Sequence, residues 1–256
     1  MKKLGRAFCI AFSMYSVIPA PHCEWDEESL RYAFCFFPLV GAATGAVLLL
    51  WGWLAEKLQA GNALFAAGAM LVTFGIQGGI HFDGFCDTAD ALASHQTRER
   101  KLEILKDSHI GAFALIGCGM ILFLWFGLWS ELAPERNALV VIALGFILSR
   151  ALSGAAAVTF RSAKRGGTLA AFSDAAEKRA ALAVLLLTAA GAGAAMLASS
   201  PGAGGCALLA AALSFGYYRW MSYREFGGIT GDLAGYFLTV CECAVLAGTV
   251  LGQKLF

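Results

Sequence analysis

The sequence has little charge for a chain of its length. Only 14% of its 256 residues are Asp, Glu, Lys or Arg, whereas 59% are hydrophobic. The mean hydropathy is +0.67. A soluble protein of this size could not bury so many apolar side chains in one core. We therefore expect the lipid bilayer to be the solvent of this chain, and we expect no nucleic-acid partner.

Two common kinds of functional motif are also absent. The sequence contains neither a P-loop nor a Rossmann glycine pattern, so a nucleotide site of either type is not indicated. Its eight cysteines include no C-x-x-C pair, and metal-ligand spacing is missing. We expect the cysteines in apolar segments, Cys118 among them, to be free thiols that act as small hydrophobic packing residues.

Long uncharged segments predict transmembrane helices. Uncharged runs of 24, 23 and 21 residues occupy 32–55, 58–80 and 110–130. Each run is long enough to cross about 30 Å of hydrocarbon as a helix. A fourth run of 39 residues, 180–218, is interrupted by a Ser-Ser-Pro-Gly turn signal. We interpret this run as two helices.

Two further apolar segments carry one ionisable residue each. They are 137–160, which contains Arg150, and 233–252, which contains Glu242. A charge inside a membrane is unfavourable without a partner, so each residue is a functional candidate, although Arg150 could instead extend toward the nearby surface. The full pattern predicts an all-α, polytopic integral membrane helix bundle with about seven transmembrane helices.

The basic residues predict the orientation of this bundle. Connections on alternate sides of the membrane contain fifteen and three Lys or Arg residues, and the richer side is expected to be cytoplasmic. We therefore expect a multi-pass protein of the cytoplasmic (inner) cell membrane with a cytoplasmic N-terminus. The fifteen are Lys2, Lys3, Arg6, Arg31, Arg98, Arg100, Lys101, Lys106, Arg161, Lys164, Arg165, Lys178, Arg179, Arg219 and Arg224, and the three are Lys57, Arg136 and Lys254.

The chain 1–256 is expected to form one membrane-embedded domain. Its first segment, 1–31, contains an apolar run too short to cross a membrane, which predicts an interfacial or re-entrant helix. Close helix packing is predicted at Gly41-x-x-x-Gly45 and Gly75-x-x-x-Gly79. The same spacing occurs at contacts between copies of a chain, so the sequence is also compatible with a homo-oligomer.

An acidic motif stands at the end of the second apolar run. In the segment 81–90, His-Phe-Asp-Gly-Phe-Cys-Asp-Thr-Ala-Asp, a helix would place Asp83, Asp87 and Asp90 at i, i+4 and i+7 on one face. Carboxylates that close repel one another unless protons or a hard cation such as Mg²⁺ balance them. We predict a Mg²⁺ site at the cytoplasmic membrane surface.

Two other polar segments are predicted to join this site. The loop 227–232 offers glycines for close approach to a phosphate, together with Thr230 and Asp232. The alternative is a plain connecting loop in which Asp232 is the N-cap of the last helix. The segment 98–109 is either a cytoplasmic amphipathic helix or a basic surface for a phosphorylated substrate. We expect 81–109 and 219–232 to be cytoplasmic active-site loops that meet.

In matching order along most of the chain, these features resemble the cobalamin synthase family, the adenosylcobinamide-GDP ribazoletransferases. His109 is a departure, because the family pattern has arginine after Lys-Asp-Ser. The segments that carry the resemblance are 37–41, 78–90, 98–108, Gly111, Ser149-Arg150 and 227–232 with Glu242.

The resemblance implies a reaction and a set of residue roles. A ribose hydroxyl of α-ribazole, or of its 5′-phosphate, attacks adenosylcobinamide-GDP, and GMP leaves. The resemblance also leaves open whether the chain associates with other cobalamin-assembly enzymes. The implied catalytic residues are Asp83, Asp87 and Asp90; the implied Mg²⁺ ligands are these three and Asp232; and the implied substrate or phosphate contacts are His81, Arg98, Arg100, Lys106, Asp107, Arg150, Gly228, Thr230 and Gly231.

Two alternative functions are less consistent with the sequence. A CDP-alcohol phosphatidyltransferase also places spaced aspartates around Mg²⁺, but this chain lacks that family's Ala-Arg and its second aspartate pair. A cation transporter could use the three motif aspartates and Glu242 as an ion path. Most of these carboxylates, however, are predicted near one surface and not in the middle of the bilayer.

Overall fold

The computed structural model describes residues 2–23, 25–107, 109–163 and 168–256. Lys164 and Arg165, which contribute to the predicted charge asymmetry, and Ser108 of the basic segment lie outside these described residues.

The described residues form an all-helical protein. They contain no β-strand, and their only bridge of that kind is an isolated one between Ser162 and Ile229. A short π-helical turn, Ser222–Phe226, follows α11. In chain order the helices are α1 (Lys2–Tyr15), α2 (Glu27–Leu30), α3 (Ala33–Lys57), α4 (Asn62–Gln77), α5 (Ile80–Ala93), α6 (Arg98–Ile104), α7 (Ala112–Glu131), α8 (Arg136–Thr159), α9 (Thr168–Ala175), α10 (Lys178–Ser199), α11 (Pro201–Met221) and α12 (Gly231–Leu255).

Five of the described helices are long and apolar enough to cross a membrane: α3, α7, α8, α10 and α12. The pair α4 and α5 adds a sixth if it counts as one broken span. The predicted polytopic helix bundle is thus confirmed, with five or six helices that are long and apolar enough to span a membrane where about seven were expected. The predicted division of 180–218 into two helices is correct, yet α11 contains four glycines and ends in polar and aromatic residues. Its 21 residues are therefore long enough but not apolar enough.

The chain bends by 93° between α4 and α5. Gly78 and Gly79 form the bend with φ angles of 62° and 74°, a left-handed conformation that glycine adopts without strain. The 16 residues of α4 extend only about 24 Å, short of the predicted span over 58–80. The bend directs α5 away from the axis of α4, and we treat α5 as lying outside the spanning helices.

One of the two predicted glycine contacts is correct. A Cβ atom added at Gly41 would lie 2.3 Å from the carbonyl oxygen of Phe146, and one at Gly45 would lie 2.9 Å from that of Ala143. These glycines let α3 approach α8 closely. The prediction for Gly75 and Gly79 is wrong, because a Cβ atom there would meet nothing within 4 Å.

The predicted N-terminal helix is present as α1. It ends at Tyr15, before the first proline of this region, and buries Ala7, Ile10 and Ala11. The ring of Phe8 contacts Phe36 of α3 at a centroid distance of 5.9 Å. This contact fixes α1 against the bundle, and its predicted interfacial position in a membrane stays a prediction.

A buried ion pair joins α8 to α12. Arg150 has a fully buried side chain, and Nη1 donates hydrogen bonds to Glu242 Oε1, to Ser149 Oγ at 2.9 Å and to the Phe146 carbonyl at 3.1 Å. Gln77 at the end of α4 donates to Glu242 Oε2 at 3.1 Å. Arg150 therefore neither extends to the surface nor reaches a surface phosphate, so both predicted roles are wrong.

A covalent contact that the sequence did not indicate joins α5 to α7. Cys86, which precedes Asp87 on α5, forms a disulfide with Cys118 of α7. The expectation that Cys118 is a free packing thiol is therefore wrong. A separation of 32 residues carries no spacing signal, and only the packing of the two helices brings the sulfur atoms together.

We predict that Gly41→Ala destabilises the bundle, because the added methyl group would overlap the backbone of α8. Such overpacking costs about 1–3 kcal/mol. The matched control is Gly75→Ala, where a Cβ atom has open space. Thermal unfolding of both variants in detergent checks this, and equal melting temperatures would contradict it.

We also predict that Glu242→Ala lowers the free energy of unfolding by about 3–5 kcal/mol, because it leaves the Arg150 charge buried without its partner. The double variant Arg150→Met with Glu242→Met removes both charges. Its free energy of unfolding should fall by less than that of the single variant. Denaturation of the three proteins in mixed micelles tests this. A double variant less stable than Glu242→Ala would contradict it.

Candidate active site

The acidic motif lies on α5, with the predicted helical spacing. Asp83 is exposed and Asp87 and Asp90 are partly buried, whereas His81, Gly84 and other residues of the opposite face are buried. The helix prediction for the motif is confirmed. In the structure, the segment 81–109, which was predicted to be an active-site loop, contains the two helices α5 and α6.

The first turn of α12 brings a fourth carboxylate to this face. A Cβ atom at Gly84 would lie 2.6 Å from the carbonyl oxygen of Asp232, and one at Gly235 would lie 2.9 Å from that of His81. Thr239 also donates a hydrogen bond to the His81 carbonyl at 3.2 Å. Small residues therefore allow the backbones of α5 and α12 to touch, which places Asp232 beside the motif.

These four carboxylates are close enough for their charges to act on one another. Partial burial, and then the negative charges of Asp83, Asp232 and Asp90, raise the pKa of Asp87 to about 6. Each neighbouring carboxylate disfavours the ionised form of Asp87. We call Asp83, Asp87, Asp90 and Asp232 the acid cluster.

Gly111 makes room for one member of the acid cluster. A Cβ atom at this position would lie 2.1 Å from Asp90 Oδ1. The carboxylate of Asp90 thus lies against the N-terminus of α7, since Gly111 is the residue that immediately precedes that helix. A larger side chain at residue 111 would displace it.

The acid cluster fits a hard cation that is shared with a ligand. Among the described residues, no three Asp, Glu, His or Cys side chains are arranged to hold a metal ion by themselves. Mg²⁺ seldom uses an all-protein cage, since it usually takes one or two carboxylates and fills its octahedron with water and substrate phosphates. The all-oxygen donors and the mutual repulsion of these carboxylates fit that mode of binding.

The residues before α12 cap the helix and do not form an open phosphate loop. Thr230 is the N-cap, because its Oγ1 accepts a hydrogen bond from the Leu233 amide at 3.2 Å. Its hydroxyl also donates to Asp232 Oδ2 at 3.3 Å. The alternative in which Asp232 caps the helix is therefore wrong, and the Asp232 carboxylate belongs to the acid cluster.

Gly228 packs against protein and not against an open surface. A Cβ atom there would lie 2.4 Å from the carbonyl oxygen of Arg161. Beside it, the Ile229 amide donates to the Arg161 carbonyl, and the Ala163 amide donates to the Ile229 carbonyl, both at 2.9 Å. Gly228 thus permits these two backbone hydrogen bonds. Gly231, in contrast, has open space around its Cα and lines a cavity.

The predicted meeting of 81–109 with 219–232 is confirmed. Lys101 of α6, with a side chain only 8% exposed, forms an ion pair with Glu225 of the π-helical turn at 2.6 Å. Arg98 Nη2 donates to the Arg224 carbonyl at 3.4 Å. Arg161 donates to the Gly227 carbonyl through Nε at 3.0 Å and Nη2 at 2.6 Å. Lys101 and Arg161 carry no individual signal in the sequence, where they are only two of many basic residues.

The other polar residues of 98–109 lie at the surface. Arg100 pairs with Glu103 at 2.7 Å, and both side chains are exposed. Asp107 accepts hydrogen bonds from the His109 amide at 3.0 Å and the His109 ring at 2.7 Å, which lower the pKa of Asp107. Lys106 is exposed. Asp107 therefore orients His109, the residue that departs from the family pattern.

A cavity of about 200 Å³ opens beside the acid cluster. Asp83, Asp232 and Gly231 lie at its exposed end, whereas the buried residues His81 and Leu238 line its interior. Burial, together with the charge of Arg150, holds the pKa of His81 well below its usual range, so its ring is neutral. His81 is thus placed for an uncharged part of a substrate and not for a surface phosphate.

Comparison with known proteins gives one consistent result. The sequence model of a family described as Cobalamin-5-phosphate synthase matches residues 7–250. No solved structure is similar to this chain. Among the relatives named adenosylcobinamide-GDP ribazoletransferase are proteins from three bacteria. The relative from Lachnoclostridium phytofermentans is 46% identical over 95% of this chain and 93% of its own length. One from Clostridium botulinum is 33% identical over 98% of this chain and 99% of its own length. One from Pseudomonas fluorescens is 34% identical over 95% of this chain and 99% of its own length. The predicted resemblance is therefore confirmed, and this chain belongs to the cobalamin-5-phosphate synthase family.

Proposed function

We propose that this chain is an adenosylcobinamide-GDP ribazoletransferase. Family membership and relatives of that name support the reaction over CDP-alcohol transfer or cation transport. The single observation that carries the site is the acid cluster, which gathers carboxylates from α5 and α12 beside a cavity. Such a cluster suits a pyrophosphate substrate that arrives with, or meets, a divalent cation.

The reaction joins two substrates through one phosphorus atom. A ribose hydroxyl of α-ribazole, or of its 5′-phosphate, forms an O–P bond to the cobinamide-side phosphorus of adenosylcobinamide-GDP. The P–O bond to the GMP phosphate breaks, and GMP leaves with the electron pair. The product is adenosylcobalamin or its 5′-phosphate, and the hydroxyl proton passes to a carboxylate of the acid cluster.

The members of the acid cluster have distinct roles. Asp83, Asp87 and Asp232 would hold Mg²⁺, and Asp90 would complete the metal shell or accept the hydroxyl proton. When bound, Mg²⁺ neutralises charge that develops on the phosphate oxygens. Arg98, Arg100 and Lys106 contribute positive charge near the site, and Asp107 and His109 form its exposed rim. Arg150 has no direct contact with substrate in this scheme.

The site is proposed to face the cytoplasm from the inner membrane. Five helices that could span a membrane support a membrane location, and the excess of Lys and Arg residues predicted for the side of the acidic motif supports a cytoplasmic site. We propose that residues 1–256 act as one catalytic unit. Homo-oligomerisation and association with other enzymes of cobalamin assembly stay open.

We predict that Asp83→Asn and Asp87→Asn each lower turnover by at least about 100-fold, because each removes a negative charge that serves the metal and the phosphates. The matched control is Asp174→Asn, an exposed aspartate of α9 outside the acid cluster. The assay gives purified protein both substrates and follows GMP and cobalamin by chromatography. Activity of Asp83→Asn near that of the control would contradict the assignment.

Removal of divalent cations should abolish product formation. The same assay in the presence of a chelator is expected to give no GMP, and added Mg²⁺ should restore it, because the acid cluster repels the pyrophosphate unless a cation lies between them. Full turnover in the chelator would contradict the metal role while leaving the proposed reaction intact.

Arg98→Ala and Lys106→Ala are expected to raise the KM for adenosylcobinamide-GDP about tenfold, the usual effect of losing one charge-assisted hydrogen bond. Arg100→Ala should have a smaller effect, since Arg100 already pairs with Glu103. Initial rates at varied substrate concentration measure this. An unchanged KM for a variant would remove that residue from the proposed phosphate contacts.

A further inference from the structure

The cavity beside the acid cluster changes character along its length. Its exposed end has Asp83, Asp232 and Gly231, whereas its inner wall is made of rings. The ring of Tyr15 lies 4.3 Å from that of Phe37 between centroids. The imidazole of His81 lies 6.2 Å from Tyr15 and 6.1 Å from Phe37. A flat aromatic group could pack against this wall.

One unpartnered donor or acceptor marks the inner wall. His81 is only 4% exposed, and its Nε2 is buried without a hydrogen-bond partner in the part of the chain that the structure describes. Buried polar side chains are nearly always hydrogen-bonded, so an imidazole of this kind that lines a cavity points to a group supplied by a ligand. The neighbouring side chains Phe34, Phe37 and Leu238 are apolar.

We infer that this cavity holds the benzimidazole base of α-ribazole, with the His81 imidazole donating a hydrogen bond from a ring nitrogen to the base nitrogen that carries no sugar. The inference rests on the proposed function and adds to it the position of one substrate. The base would lie among the rings, and the ribose would extend to the exposed end. A ribose hydroxyl would then be next to Asp83 and the acid cluster.

The other large groups of the two substrates fit this cavity poorly. A corrin ring is far larger than a volume of about 200 Å³. Guanine carries several donors and acceptors on its edges, which would be left unpaired among Phe34, Phe37 and Leu238. Dimethylbenzimidazole offers one free ring nitrogen and two methyl groups. Its needs therefore match a wall of rings and apolar side chains, in which Tyr15, His81 and Ser153 supply only a few polar groups.

The test compares two substrates that differ at one ring atom. α-Ribazole is paired with the α-riboside of 5,6-dimethylindole, in which a C–H group replaces the free nitrogen. We expect the wild-type protein to use α-ribazole with a kcat/KM about tenfold higher, the value of one hydrogen bond. His81→Leu should lose this preference, and His81→Gln, which retains a terminal N–H donor, should recover part of it.

The KM for adenosylcobinamide-GDP provides an internal control, because His81 is not expected to contact that substrate. His22→Leu, a change at an exposed histidine, should leave both KM values and the preference unchanged. The wild-type comparison needs no variant, so it remains informative if His81→Leu does not fold.

Two results would overturn the inference while the proposed function stands. They are a wild-type protein that forms cobalamin but shows no preference between the two ribosides, and a folded His81→Leu variant that keeps the tenfold preference. A wild-type protein that releases no GMP with either riboside would overturn the proposed function and this inference together. Loss of the preference in His81→Leu alone, with partial recovery in His81→Gln, would support it.

Discussion

The buried ion pair between Arg150 and Glu242 is the interaction on which the rest of the structure depends. Two charges at 0% and 2% side-chain exposure are tolerated only together, so they fix the relative depth of α8 and α12. Gln77 adds α4 to the same network. Gly41 lets α3 approach until its backbone is next to the Arg150 side chain. Four helices thereby share one constraint in the interior of the bundle.

The position of α12 then determines the acid cluster. The same helix that carries Glu242 in its middle begins at Gly231, where Thr230 caps it and Asp232 faces α5. The close contact between Gly84 and Asp232 brings like charges together, and burial, followed by the repulsion of these charges, raises the pKa of Asp87. A bundle held rigidly by its buried charges can therefore keep at its surface a group of carboxylates that would otherwise separate.

Local patterns predicted local structure well. The i, i+4, i+7 spacing of aspartates predicted the helix α5, and the contact of Gly41 and Gly45 with α8 followed from their spacing. Identical spacing at Gly75 and Gly79 failed, because Gly79 belongs to a left-handed bend and no helix lies against Gly75. Spacing describes one helix surface, and whether another helix covers that surface depends on the whole bundle.

The sequence by itself determined the helical membrane class, the family and the acidic motif, because apolar length and helical periodicity are properties of continuous segments. Only the tertiary structure decided that Arg150 pairs with Glu242, that Cys86 meets Cys118, and that His81 lines a cavity with an unpartnered Nε2. These features join segments that are distant in the chain. Their side chains acquire partners only when helix packing fixes distances that no single segment encodes.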